Sequence, residues 1–219
     1  MKKIFLISIL LLVFSCSEDS ETQEIELSDN IISDFFDRED TENGIISNMW
    51  TVSKDKEDIL KIKDNELSIT KNISTETIAF WYKQEVYEKN FLERFKFSIK
   101  EGEKDSNVVI NFVGGIMGDS KLTFTAGIKN NYLKIYADSS KTDSNFISFN
   151  KNEDYFLELL VKDSLMKLFL KKDNSLISNL EYKFFNAETN ALGITIKNID
   201  TTLNLKIDDF EVKRINNKN

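Results

Sequence analysis

From Ile31 onward the chain alternates apolar and polar residues in short runs of period two, each run closed by a cluster of Asn, Asp, Gly or Ser. That period sends one face of a strand into a core and the other into water. It predicts strands over residues 59–69, 78–82, 91–99, 108–113, 121–128, 132–137, 146–149, 155–162, 165–171, 180–185, 192–197 and 202–213. Turn signals join several of them: Lys63-Asp64-Asn65, Lys129-Asn130-Asn131, Lys162-Asp163-Ser164 and Lys172-Asp173-Asn174. Turns recurring every 8 to 12 residues or so mark meandering antiparallel sheets. No helical stripe runs for three turns, although residues 83–94 would admit a short helix. The expected architecture is all-β, a two-sheet antiparallel β-sandwich occupying residues 31–216 as one domain.

The last predicted strand carries a change of phase. Leu203, Leu205 and Ile207 share one face, whereas Phe210 and Val212 continue it on even positions. One extra residue is needed to keep all five on the core side, so a β-bulge is expected at Asp208-Asp209.

Composition removes several classes of chemistry. The chain has no histidine, one cysteine and no proline. Histidine-dependent triads and His-ligated metals are excluded, as are an intramolecular disulfide and a thiolate cage. Its 37 Asp and Glu against 29 Lys and Arg give a formal charge of −8, which argues against nucleic acid as a partner.

The first residues differ from the rest. Lys2 and Lys3 precede an apolar run, Ile4 to Phe14, too short to cross a bilayer, which takes about 20 residues. This is the pattern of an export signal, residues 1–15. Val13-Phe14-Ser15-Cys16 resembles the lipobox of bacterial lipoproteins, which implies cleavage before Cys16 and a diacylglycerol on its thiol. Several acyl chains, each buried methylene contributing about 0.8 kcal/mol, would anchor the chain to a membrane with no spanning helix. Residues 16–30 hold six carboxylates and no basic residue, and are expected to form a flexible acidic tether. Glu18, Asp19 and Glu21 resemble the export signal that sends Bacteroidetes lipoproteins to the outer face of the outer membrane. The expected location is therefore the cell surface, with a periplasm-facing anchor as the alternative.

Further residues carry a resemblance to a fold family. Phe36-Asp37, Met49-Trp50-Thr51 and Leu60-Lys61-Ile62-Lys63-Asp64-Asn65-Glu66-Leu67 follow one another. Tyr155-Phe156-Leu157-Glu158-Leu159, Leu192-Gly193-Ile194 and Lys206-Ile207-Asp208-Asp209-Phe210-Glu211-Val212 come later. Together they resemble the concanavalin A-like lectin/glucanase jelly roll, a superfamily that includes laminin G-like and 3-keto-disaccharide hydrolase domains. In many of its members an aspartate of the final strand helps bind a structural Ca²⁺. The resemblance implies that role for Asp208, with oxygens from the 34–37 stretch, Asp37 among them, completing the shell.

Three functional readings compete on the residues. The acidic motif of family 16 glycoside hydrolases is unmatched: Asp37-x-Glu39-x-x-Glu42 has the wrong order, and Glu153, Asp154 and Glu158 have the wrong spacing. Sugar binding asks for an exposed aromatic face flanked by hydrogen-bonding groups. Within Phe80-Trp81-Tyr82, core-facing neighbours would leave Trp81 on the outside. Tyr132 and Tyr136 share a strand face beside Asn130 and Asn131, whereas Trp50 reads as core. Gly114-Gly115 with Gly118 suggests a loop at a sheet rim. The expectation is a non-catalytic glycan-binding domain serving polysaccharide capture, with Trp81, Tyr132, Tyr136 and Asn130 as ligand residues. A carbohydrate-active enzyme and an adhesive protein contacting another envelope protein are the rivals.

Overall fold

A computed structural model describes residues 27–36, 49–53, 60–69, 77–86, 89–101, 108–117, 122–137, 140–150, 152–183, 189–197 and 204–216. The proposed signal, Cys16, Glu18, Asp19, Glu21 and Asp37 lie outside these residues. Fifteen strands are described: β1 (Leu27–Asp34), β2 (Trp50–Val52), β3 (Leu60–Lys63), β4 (Glu66–Ile69), β5 (Thr77–Tyr82), β6 (Phe91–Glu101), β7 (Val109–Gly115) and β8 (Leu122–Lys129), then β9 (Tyr132–Ala137), β10 (Ser140–Phe146), β11 (Asp154–Lys162), β12 (Leu165–Lys172), β13 (Ser175–Lys183), β14 (Ala191–Lys197) and β15 (Asn204–Ile215).

They form two antiparallel sheets, as the alternation requires. One has eight strands in the order β13-β12-β11-β6-β15-β4-β3, with β1 also paired to β15. The other has seven, in the order β10-β9-β8-β7-β14-β5-β2. The hairpins at Asp64-Asn65, Asn130-Asn131 and Asp173-Asn174 hold both central residues at positive φ. That is the twist-matched two-residue turn, and Asn and Asp tolerate it where no glycine is present.

Aromatic side chains bridge the layers. Phe95 of the eight-stranded sheet meets Phe112 of the seven-stranded one at 4.8 Å between ring centroids. Trp50 on β2 packs edge-on against Phe80 at 5.3 Å and against Phe210 of the opposite sheet at 4.9 Å. The buried carboxylate of Asp34 accepts the Trp50 indole N–H at 2.8 Å and the Phe36 amide at 2.9 Å, fixing the ring in the core.

The bulge in β15 falls where the change of phase demands it. Pairing with β6 slips between Asp208 and Glu211, and Asp209 takes φ 49°. Leu205, Ile207, Phe210 and Val212 are all fully buried as a result.

Several expectations differ from the structure. The sandwich begins at Leu27, inside the stretch read as tether, because β1 gains its backbone hydrogen bonds from β15 whatever its side chains are. Residues 91–94 belong to β6, so the short helix over 83–94 does not form. Gly114 and Gly115 are buried in β7 rather than in a rim loop. A Cβ on Gly114 would lie 2.1 Å from the Phe124 ring, so this glycine makes room for a core aromatic. Gly118 is outside the described residues.

Candidate functional site

The outer faces of the two sheets have opposite character. On the eight-stranded sheet, basic side chains meet acids, most of them from neighbouring strands. Arg94 pairs with Glu211 at 2.7 Å, Lys171 with Glu158 at 2.5 Å, Lys213 with Glu211 at 3.1 Å, and Lys206 with Glu66. Lys96 meets Asp208 at 2.8 Å and Asp209 at 3.2 Å. Burial pulls the Lys96 ammonium down, but hydrogen bonds and charge from both aspartates outweigh it and hold its pKa above the ordinary lysine value. Asp208 is held above the ordinary carboxylate value by burial, which outweighs Lys96. The two shifts pull opposite ways on the ionised pair; the 2.8 Å contact favours ammonium and carboxylate together.

The outer face of the seven-stranded sheet is built differently, and strand register assembles it. One row across it reads Thr51, Trp81, Gly193, Val113, Thr125, Tyr136 and Lys141. The next reads Ala79, Thr195, Asn111, Gly127, Lys134 and Asp143. The third reads Thr77, Lys197, Val109, Lys129, Tyr132 and Phe146.

Phe80 and Tyr82 face the core, as the alternation requires, so Trp81 lies on this outer face, half-buried. Its indole leans on the neighbouring strand: a Cβ on Gly193 would stand 2.9 Å from Cε3 and 3.1 Å from Cδ2 of Trp81. A second close approach lies one row on. The Asn111 carboxamide oxygen would be 2.7 Å from a Cβ on Gly127, and its nitrogen donates to Thr195 Oγ1 at 3.5 Å. Glycine at 193 and 127 therefore lets an indole and an amide lie across the sheet rather than stand up from it. Val113, 0% exposed, lies between them at the floor.

Tyr136 and Tyr132 lie on the same face, on β9. Four strand spacings of about 4.8 Å put Tyr136 roughly 19 Å from Trp81. The aromatics therefore bracket a strip of this face, termed the trough, rather than form one stack. Tyr132 packs edge-on against Phe146 at 5.7 Å, and the Lys134 ammonium sits 5.2 Å from its ring centroid. Asn130 is an exposed turn residue at φ 52°, a conformation that itself explains the asparagine. Asn190 closes one rim, its side-chain oxygen accepting from the Met117 amide at 2.7 Å and its carbonyl from Val86 at 2.8 Å.

Asp208 sits at the bulge, on the ion-paired sheet, and Asp34 is turned inward to Trp50. Among the described residues no group of three Asp, Glu, Cys or His could hold a metal ion. Glu153 is held by Lys172, Asn150 and Tyr155, and Glu158 by Lys171. Neither lies free in a cleft.

No protein-family model matches the chain, and no curated protein matches it in sequence. Solved structures match its shape. The VIP36 exoplasmic/lumenal domain in its Ca²⁺/Man3GlcNAc-bound form superposes with TM-score 0.60 at 8% identity, covering 78% of this chain and 85% of that one. The Emp47p carbohydrate recognition domain gives 0.57 at 14%, covering 86% and 96%. A protein of unknown function with a galectin-like fold from Bacillus subtilis gives 0.59 at 11%, covering 89% and 100%. At such identities the likeness is one of fold: this chain is a two-sheet antiparallel jelly-roll sandwich, as those structures are.

Proposed function

We propose that this chain is a non-catalytic glycan-binding protein, with the outer face of its seven-stranded sheet as the binding face. The observation that carries the reading is the Trp81 indole lying against Gly193, one row from the Asn111 amide and the Thr195 hydroxyl. An aromatic ring beside fixed hydrogen-bonding groups suits the apolar face and rim hydroxyls of a pyranose. The trough is long enough for several sugar units in line. Two of the similar folds support the reading, since one is described with Man3GlcNAc bound and another as a carbohydrate recognition domain.

The face does not suit hydrolysis. A retaining glycosidase needs two carboxylates about 5 Å apart. Across β2, β5, β14, β7, β8 and β9 the outward positions hold none, and on the edge strand β10 Asp143 is in backbone register with Lys134.

The proposal includes attachment through a lipid on Cys16, with Glu18, Asp19 and Glu21 directing display at the cell surface for polysaccharide capture. It rests on the lipobox resemblance and the acidic residues after it. Among the described residues no helix is long and apolar enough to cross a membrane.

Structural calcium belongs to the proposal only through Asp208. VIP36 is described in Ca²⁺-bound and metal-free forms. Here the described residues do not by themselves fit the ion, since Asp208 already carries the Lys96 ammonium and a Ca²⁺ shell wants six to eight oxygens. A rise in melting temperature with millimolar Ca²⁺, lost in Asp208→Asn, would place the ion there.

Binding itself is tested by Trp81→Ala on a polysaccharide panel. Loss of about 1–2 kcal/mol of affinity with the fold intact is expected. A parent protein that binds no polysaccharide, neutral or acidic, would overturn the reading and move the adhesive alternative forward.

A further inference from the structure

The two outer faces differ most in how their cations are balanced. The chain is acidic, with 37 Asp and Glu, yet the outward positions of six of the seven strands on the trough sheet hold no carboxylate. The same face holds Lys129, Lys134 and Lys197. Lys129 and Lys197 make no ion pair among the described residues, in contrast to Arg94, Lys96, Lys171, Lys206 and Lys213 on the opposite sheet. An acidic protein with paired cations on one face, and with Lys129 and Lys197 in no ion pair among the described residues on the other, has a directional field.

Their placement is specific. Lys197 and Lys129 flank Val109 on adjacent strands, two strand spacings or about 10 Å apart, close enough for both flexible stems to reach one anion above it. Tyr132, with the Lys134 ammonium over its ring, continues that row. Trp81 lies in a row four residues away along the strands, about 13 Å at the strand rise. Lys129 and Lys197 are both half-buried, the usual state of a lysine whose stem packs on apolar surface while its ammonium stays in water.

We infer that the trough selects an acidic polysaccharide, one sugar ring resting on Trp81 and a carboxylate or sulfate further along the chain held by Lys129 and Lys197. This rests on the glycan-binding reading and narrows its ligand class. Uronate carboxylates and sulfate esters share the required chemistry, a multiply accepting anion on a sugar ring.

The test uses the full chain and three probes: polygalacturonate for carboxylate, dextran sulfate for sulfate, and dextran as neutral control. The variants are Lys129→Gln/Lys197→Gln, Trp81→Ala, and Lys61→Gln/Lys63→Gln on the opposite sheet as a charge-matched control. At least one acidic probe should bind more tightly than dextran, and the one that binds better identifies the anion. The Lys129/Lys197 variant should bind it roughly tenfold more weakly, the expected size for two partly screened charge contacts. Trp81→Ala should weaken it as well, and the Lys61/Lys63 variant should match the parent. Equal binding of dextran and the acidic probes would overturn the inference and leave glycan binding standing. So would an unchanged Lys129/Lys197 variant. Acidic binding that ignores Trp81→Ala, or falls equally in the Lys61/Lys63 control, would show a diffuse charge effect and also overturn it. Binding to none of the probes would overturn both readings.

Discussion

Replacing Glu93 by methionine should make the protein more stable, by an amount that grows with pH. Glu93 lies on β6 between Phe91 and Phe95 and points into the sandwich, opposite Leu159 of β11 and Val212 of β15. It is 0% exposed, and neither carboxyl oxygen has a hydrogen-bond partner among the described residues. Burial holds its pKa well above the ordinary carboxylate value. Between the unfolded value, about 4.3, and that raised folded value, the native state binds a proton that the unfolded state has released. Stability therefore falls as pH rises through the window, by about 1.4 kcal/mol per unit. Even when protonated, the unpartnered acid costs about 1–3 kcal/mol of desolvation. Methionine fills a similar volume with no polar demand. Glu93→Met should gain about 2 kcal/mol at pH 5, or roughly 4–8 °C in melting temperature for a chain of this size, and more at pH 7. Glu93→Gln should lose the pH slope without the full gain. Thermal melts of the three proteins from pH 5 to pH 8 decide it. A methionine variant no more stable than the parent, or one keeping the parent's slope, would refute the reasoning.

Three other substitutions follow from the geometry. Gly193→Ala would put a Cβ 2.6 Å from the Phe80 carbonyl and 2.9 Å from the Trp81 ring, so it should cost about 1–3 kcal/mol in denaturant melts and weaken polysaccharide binding together with it. Asp34→Ala leaves the Trp50 indole N–H and the Phe36 amide without this acceptor and should cost about 2–5 kcal/mol, read by urea unfolding; a loss below 1 kcal/mol would mean the lock matters little. Cys16→Ser should release the protein from membranes or block its processing, and a fully processed variant still pelleting with membranes would end the lipid-anchor proposal.

Much of the fold could be read in the residues because its determinants are local. The turn pairs at Asp64, Asn130 and Asp173 and the change of phase at Asp208-Asp209 are each written in a few consecutive positions. Strand β1 and the start of β10 escape such reading, since Lys141 to Asn145 show no apolar alternation and gain their place from backbone pairing with β9. The trough is harder still. Asn111, Gly127, Gly193 and Thr195 lie on three strands and become neighbours only through register. One trace was present: Asn111 interrupts the otherwise apolar run Val108 to Val113, and a polar residue there marks the outward face. Trp81, Tyr132 and Tyr136 were legible as outward aromatics, but their separation was not, because it depends on the strands between them. Glu93 leaves a trace of the same kind, an acid standing between Phe91 and Phe95 at period two.

The two tryptophans offer the most direct test of where a glycan binds. Trp81 is on the trough, whereas Trp50 is 3% exposed and bonded to Asp34 on the core side. In a two-dimensional NMR titration with oligosaccharides cut from the best-binding polysaccharide, each indole N–H gives its own signal. The Trp81 indole, the Asn111 side-chain amide and the Gly127 and Gly193 amides should shift together and saturate, while the Trp50 indole stays in place. Shifts confined to the Arg94, Lys96 and Glu211 surface of the opposite sheet, or none at saturating sugar, would contradict the assignment of the seven-stranded sheet as the binding face.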